Sequence, residues 1–517
     1  MNDNPALNPN GAISLPVSSP VQPVKPVPAP EGETHRKLRE DCLYYLALAA
    51  VLGLVYALCF VNARGWGLNF VLYAAVWVVC AHLALRRLGV ANPRRDGFWY
   101  GGILLLALTV FWTVNPMVQF VSVVGGILCQ CFWALNVFAD IGQWHFGKAS
   151  GAVFRLVFRT IGRIGEPFRH LSAARKKDTE KQNKKQWLYI ALGLLAAIPM
   201  AVIALLLLTS ADVVFWRLFR RIFEIQVDLS STRTAFKCLF AFLLSALSFY
   251  GVLCAQTDRP ECQEQKDKAK TNTLVAVTFT AVLAVIYLLF CLVQIAVLFT
   301  GGENLLPEGY TYARYAREGF FQLLAVSAMN VLLVIISQRR FESSRALRIL
   351  LCLVSGCTYV MELSSAWRMI LYVQVYGFTF LRLLVLWFLL VLAIVLGGAV
   401  ATVFRPDFRL FRFTLTVCLV CWLLFAFARP DNLAAKYNLR RFGSNENTVA
   451  DIHYHLYDDS VEELAPYLAS GDAEIPRYVG EYLGNIIPIK YENAGVRGFN
   501  YSLWRAYLVA AEYGQVE

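Results

Sequence analysis

The chain has 517 residues, 57% of them apolar and only 16% charged, with a mean hydropathy of +0.50 and a formal net charge of +12. So much apolar surface excludes a soluble protein built around one core. The basic balance would suggest nucleic acid in a soluble chain, but here Lys and Arg gather at the ends of apolar runs, so nucleic acid is not an expected partner.

Residues 1–40 read as a disordered cytoplasmic leader, since the first 34 are rich in Pro, Ala, Asn and Ser and nearly free of aromatics. No signal-peptide core or cleavage site is evident. Eleven apolar stretches follow, at about 42–62, 67–85, 98–114, 117–138, 187–209, 234–255, 273–299, 319–337, 346–367, 379–402 and 411–429. An apolar run of about 20 residues crosses hydrocarbon as a helix, because backbone polar groups find no water there. The expected fold class is all-α: a polytopic α-helical integral membrane protein of about 11 transmembrane helices with a small, mostly helical extracytoplasmic C-terminal domain. Spans one to four fill 41–139, and spans five to eleven fill 187–429.

Charge sets the expected orientation. Of the 48 Lys and Arg, 30 fall on alternate flanks, including Arg36, Lys37, Arg86, Arg87, Arg94 and Arg95 and the run from Lys148 to Lys185. Short-loop Lys/Arg bias puts these flanks inside the cell. The amino terminus is therefore expected in the cytoplasm and the carboxyl terminus outside. Residues 430–517, with 7 basic and 13 acidic side chains, are acidic by contrast.

The loop 140–186 carries Phe154, Val157, Phe158, Ile161 and Ile164 at helical spacing, opposite the ladder Arg155, Arg159 and Arg163. That pattern predicts a basic amphipathic helix on the inner leaflet or, alternatively, one docked on a partner helix. A second amphipathic segment, 212–227, sets Phe215, Phe219 and Phe223 against Arg217, Arg220 and Arg221. Beyond Arg429, helical patterns at 446–470 and 474–487 and an aromatic stretch at 499–513 predict the C-terminal domain, 430–517.

Chemistry-bearing motifs are sparse. Of 13 cysteines, all but Cys262 and the boundary residue Cys42 lie in predicted spans, where Cys acts as a small apolar residue. His453 and His455 lie two apart and point to opposite sides of a helix, so no metal is expected. No phosphate loop, dinucleotide fingerprint, Gly-x-Ser-x-Gly or His-Glu-x-x-His is present. No cofactor and no catalytic residue is assigned, and an enzyme is disfavoured. Intramembrane Asn69, Asn136, Gln294 and Asn330 are expected to hydrogen-bond between helices.

Two polar clusters fall at one predicted depth. Tyr312, Arg314, Tyr315, Arg317 and Glu318 stand at the outer mouth of the eighth span. Glu362, Arg368 and Tyr372 close the ninth, and Arg382 opens the tenth after a reversal at Gly377. Two readings are open: an ion-pair network clamping helices, or a cradle for an anionic headgroup or phosphate, since four guanidiniums exceed two carboxylates. At 429–438, Pro430 opens a helix with Asp431 in its first turn, a segment suited to docking the tail on the bundle.

Four segments carry a resemblance. Tyr315 to Phe320 matches a Tyr-Ala-Arg-Glu-Gly-Phe signature, and Ser365 to Met369 through Tyr376 to Thr379 and Arg382 matches a second pattern. Pro430-Asp431 to Tyr437-Asn438 is similar to an Asn-Pro-Asp…Ala-Arg-Tyr-Asn linker in which Arg429 and Lys436 replace Asn and Arg. Asn500 with Ser502, Arg505 and Ala506 is similar to a terminal Asn-x-Ser…Arg-Ala element. Over about 185–517 the chain thus resembles a bacterial multi-pass membrane family catalogued as domain of unknown function 4173, and its relative 4153. The resemblance implies the membrane architecture and a tail-docking role for Asp431, Tyr437, Asn438, Asn500 and Arg505. It implies no reaction.

The expected function is a noncatalytic scaffold or signalling partner in a bacterial cell envelope. The alternatives are a transporter or lipid-handling protein using the outer polar cluster as an anion site, and a membrane-embedded transferase on a lipid-linked substrate. Expected partners are the lipid bilayer, anionic lipid headgroups and a membrane or envelope protein.

Overall fold

Apolar runs punctuated by Asn-Pro, Gly and paired arginines become long helices joined by short turns. The computed structural model describes residues 32–178, 229–258, 271–299, 312–405, 407–443, 458–466 and 474–513. Most of the leader, the span 187–209, the segment 212–227 and the residues Asp451, His453 and His455 lie outside the described residues.

A short α1 (Glu33–Glu40) leads into α2 (Cys42–Phe60), α3 (Leu68–Leu88), α4 (Pro93–Trp112) and α5 (Pro116–Phe138). Helices α6 (Phe146–Gly162) and α7 (Glu166–Asp178) follow, then α8 (Leu229–Asp258), α9 (Thr273–Phe299), α10 (Tyr312–Arg340), α11 (Arg345–Tyr376), α12 (Phe380–Phe404) and α13 (Leu410–Phe427). Among the described residues, nine helices are long and apolar enough to cross a membrane: α2, α3, α5 and α8 to α13. The chain is a multi-pass α-helical membrane protein. The predicted third span forms α4, which falls short of that standard because Arg94, Arg95 and Asp96 occupy its first turn. It still packs between α3 and α5.

The helix ends sort onto two faces. On the first, Asn62 Nδ2 donates to Thr234 Oγ1 (3.1 Å), Leu68 N to Phe499 O (2.8 Å) and Trp112 Nε1 to Phe427 O (3.3 Å). On the second, Arg87 pairs with Asp41 (2.8 Å), His35 bonds Thr257 (3.0 Å), Thr271 N donates to Arg340 O (2.8 Å) and Arg409 meets Asp140 (3.5 Å). The C-terminal domain sits on the first face, called here the tail face. The second is the basic face.

Outward residues are apolar: Phe279, Leu289, Leu292, Leu363 and Leu424 are each more than half exposed. Lipid, not water, is the solvent such a belt suits. Inside, small residues let helices close in. A Cβ added at Gly53 would stand 2.6 Å from Phe242 O, so α2 and α8 touch backbone to backbone there. Helix α6 runs on the basic face with Ala149, Ala152 and Leu156 turned inward, while Phe154, Val157, Phe158 and Ile161 are exposed. The predicted apolar stripe therefore forms and faces away from the bundle.

The C-terminal domain comprises α14 (Pro430–Phe442), α15 (Val461–Leu464), α16 (Glu474–Glu481), a π turn at Tyr482–Ile486, α17 (Ile487–Ala494) and α18 (Tyr501–Glu512). Ala434, Leu439, Leu464, Leu483, Ile487 and Ala506 form its small core.

Candidate functional site

A buried polar assembly lies where the C-terminal domain meets the tail face. It grows from the turn joining α4 and α5, Thr113-Val114-Asn115-Pro116. Proline at the first helical position costs no hydrogen bond, and Asn115 caps α5 by accepting from Met117 N (2.9 Å) and Val118 N (3.1 Å). Its amide nitrogen is then free to donate to Asp431 Oδ2 at 2.7 Å. Asp431, in the first turn of α14, is fully buried, and its second carboxylate oxygen has no hydrogen-bond partner. Burial first, then the neighbouring Asp459 charge, push its pKa from 3.8 up to about 7, with the Asn115 bond opposing.

Asp459 is equally buried. It accepts from the Thr113 hydroxyl and from Val114 N (3.3 Å), while burial raises its pKa against the pull of Ser502, Thr113 and Arg429. Arg429 closes the assembly: its guanidinium donates to Asp459 O (3.0 Å) and Ser502 Oγ (3.1 Å) and pairs with Glu462 (3.3 Å). Arg505 Nε meets the other Glu462 oxygen at 3.1 Å. Two buried carboxyls beside one guanidinium make a site that holds a proton near neutral pH.

Two further clamps hold the domain. Asn500 Oδ1 caps α18, accepting from Ser502 N (2.9 Å) and Leu503 N (3.3 Å). Its amide nitrogen donates to the carbonyls of Val110 (3.0 Å) and Thr113 (2.9 Å) in the bundle. Asn438 forms a two-way bond with Phe378, accepting from its N–H (2.7 Å) and donating to its carbonyl (2.9 Å). Gly377, before it, stands at φ +73°, and a Cβ there would lie 2.6 Å from Asn438 Oδ1. Tyr437 packs edge-on against the Phe378 ring at 4.7 Å. Tyr501 stacks on Trp112 at 4.4 Å. Of the five residues expected to dock the tail, Asp431, Tyr437, Asn438 and Asn500 contact the bundle, whereas Arg505 pairs with Glu462 inside the C-terminal domain. Thr113, Asn115, Asp459 and Glu462 were not anticipated, and Ser502 was visible only as part of the terminal Asn-x-Ser element. The available signal was the Thr-x-Asn-Pro turn, in which Asn and Pro mark a helix start.

Only part of the second predicted cluster falls among the described side chains. Tyr312, Arg314, Tyr315, Arg317 and Glu318 lie on the first turns of α10, and their side chains are outside the described residues. Asn330 Nδ2 donates to Thr358 Oγ1 (2.9 Å), an antiparallel register that brings the backbone of 317–318 roughly level with 370–371. Arg368, buried on α11, donates to Gln294 Oε1 (3.2 Å), which Ser364 also reaches at 2.7 Å. Arg382 caps its neighbouring helix, donating to Tyr376 O (2.7 Å) and Gly377 O, and lies over the Tyr372 ring at 4.4 Å. Glu362 is buried with neither oxygen hydrogen-bonded. Among the described residues it meets neither guanidinium. Gln294 and Asn330 bond between helices as expected, and Asn69 on α3 donates to Cys59 O of α2 (3.5 Å) as well as serving its own turn through Gly67 N (2.9 Å) and Gly65 O (3.1 Å).

A sequence profile for the family described as Domain of unknown function (DUF4153) matches residues 100–467. The chain belongs to this family. No curated protein and no solved structure matches it. The matched region begins within α4 and contains Asp431, Asp459 and Glu462, while Asn500 and Arg505 lie beyond it. Arg429 stands in the left-handed region at φ +53°. Asn tolerates that conformation better than most residues, which is a backbone reason for Asn in the linker pattern this chain resembles.

Proposed function

We propose that this chain is a noncatalytic membrane scaffold or signalling partner of a bacterial cell envelope, with its amino terminus cytoplasmic and its C-terminal domain outside. One observation carries the reading: four of the domain's polar groups, Asp431, Asp459, Asn438 and Asn500, are directed into the helix bundle. A domain locked this way transmits position rather than opening a cleft, and leaves its outer surface as a platform. The orientation rests on the basic face, where Arg86, Arg87, Arg94, Arg95, Arg163 and Arg169 collect. An outer anion site is the less supported alternative, because Arg368 and Arg382 have donors committed to Gln294 and to backbone carbonyls.

The test uses single cysteines in a variant lacking reactive native thiols. Val496, in the loop between α17 and α18, is 82% exposed. A membrane-impermeant maleimide labels Val496→Cys in intact cells, and a photoreactive residue at the same site crosslinks one discrete envelope protein. Labelling only after permeabilisation would reverse the orientation, and the absence of any adduct across the domain surface would remove the scaffold reading.

A further inference from the structure

The basic face holds a cavity that neither cluster above explains. Its volume is about 600 Å³, and it lies between the start of α4, the turn after α5 and the start of α13. Four arginines line it: Arg94, Arg95, Arg409 and Arg412. Arg95 is committed, pairing with Asp96 (2.9 Å) and donating to Val137 O (2.8 Å) and Val90 O (2.9 Å). Arg409 meets Asp140 at 3.5 Å, the acidic group on the cavity wall. The side chains of Arg94 and Arg412 are exposed and form no ion pair among the described residues. The cavity therefore has an excess of positive charge that Asp140 alone does not balance.

A second cavity of about 210 Å³ shares three walls with the first, Phe98, Trp99 and Leu415, and is almost wholly apolar. It continues up the bundle between α4, α5 and α13 past Leu106, Leu419 and Trp422. From Leu415 to Trp422 a helix rises about 10 Å. Phe98 and Leu128, on its rim, are exposed at the lipid-facing surface. A cationic mouth at the membrane surface opening into an apolar channel along the hydrocarbon fits an amphiphile with an anionic head. A free phosphate or soluble anion has no use for the channel. Basic pockets between transmembrane helices are suited to anionic phospholipid headgroups, and guanidiniums match phosphate oxygens in geometry.

We propose that the joined cavities bind one anionic phospholipid of the leaflet beside the basic face, with its phosphate against Arg94 and Arg412. One acyl chain then lies along Trp99, Leu106, Leu419 and Trp422. The site does not depend on which compartment the basic face adjoins, so it stands or falls separately from the scaffold reading.

The experiment is native mass spectrometry of the full-length protein, delipidated in an uncharged detergent and titrated with phosphatidylglycerol or with phosphatidylcholine of the same chains. The expected result is one phosphatidylglycerol retained in preference to phosphatidylcholine. The Arg94→Ala, Arg412→Ala double variant loses about thirtyfold of that affinity, given roughly fivefold for each basic residue at the membrane surface. Gly125→Leu, whose side chain enters the apolar channel beside Leu106, weakens both lipids alike and leaves the headgroup preference. Excess inorganic phosphate leaves the lipid bound. Equal retention of the two lipids, wild-type affinity in the arginine double variant, or displacement by phosphate alone would each overturn the proposal. Should the Ala pair unfold early without lipid, Arg94→Gln with Arg412→Gln reads the same affinity loss in longer side chains.

Discussion

Replacing Asp431 by Asn tests the reasoning about the buried carboxyl pair. The folded protein raises the Asp431 pKa from 3.8 to about 7, a change equivalent to about 4 kcal/mol. The sign follows from proton linkage. Between about pH 4 and pH 7 the folded state binds the proton that the unfolded state releases, so stability is greatest below the unfolded value and is lost as pH rises through the folded one. The ionised carboxylate thus costs the docked domain up to about 4 kcal/mol above pH 7. Asn keeps the shape and an oxygen to accept from Asn115, and it carries no charge to desolvate. Thermal unfolding of the detergent-solubilised protein from pH 4.5 to 8.5 is the assay. Wild type should lose stability as pH rises, and Asp431→Asn should be the more stable protein at pH 8, the two curves converging toward pH 4.5. Asp459 contributes a slope of the same sign, so the difference between the curves reports Asp431 together with its coupling to Asp459. A flat difference curve, or an Asn variant weaker at pH 8, would mean that the carboxylate is ionised and paired, and the reasoning would fail.

Three other outcomes are expected. Asn438→Ala removes both bonds to the Phe378 backbone and should cost about 1–3 kcal/mol. Gly377→Ala attacks the same contact through its positive φ and the 2.6 Å approach to Asn438, so a double-mutant cycle by thermal unfolding should show strong non-additivity. Additive losses would separate the two sites. Glu362→Gln should stabilise the bundle by roughly 1–3 kcal/mol, since it removes a buried charge with neither oxygen hydrogen-bonded; lower stability in a denaturant titration would reveal a partner for the carboxylate. Gly53→Leu, placed against Phe242 O, should disrupt the α2–α8 crossing by several kcal/mol and reduce folded yield in size-exclusion chromatography.

Hydrophobic length and charge placement are local quantities, which is why the membrane class, the spans that fall among the described residues and the amphipathic stripe of α6 were legible residue by residue. The reversal at Gly377 and the helix opened by Pro430 were legible for the same reason, because both are backbone constraints written into single residues. Start points at charged turns were less legible, and α4 shows it: Arg94, Arg95 and Asp96 belong to the helix although they lie outside its apolar run.

Partnership is different, because the partner of a polar group is chosen by packing across hundreds of residues. Asp431 meets Asn115, Asp459 meets Thr113, and Asn500 meets Val110 and Thr113; no spacing rule connects such positions. Arg382 offered itself as one member of an anion cradle by depth alone, yet the nearest acceptors are the carbonyls at the end of α11. The amino-acid order by itself determined that this chain enters a bilayer and where its helices run, since those follow from transfer of each segment out of water. Only the tertiary structure decided that the C-terminal domain is bolted to the bundle through two buried carboxyls, because burial and proximity belong to no segment alone.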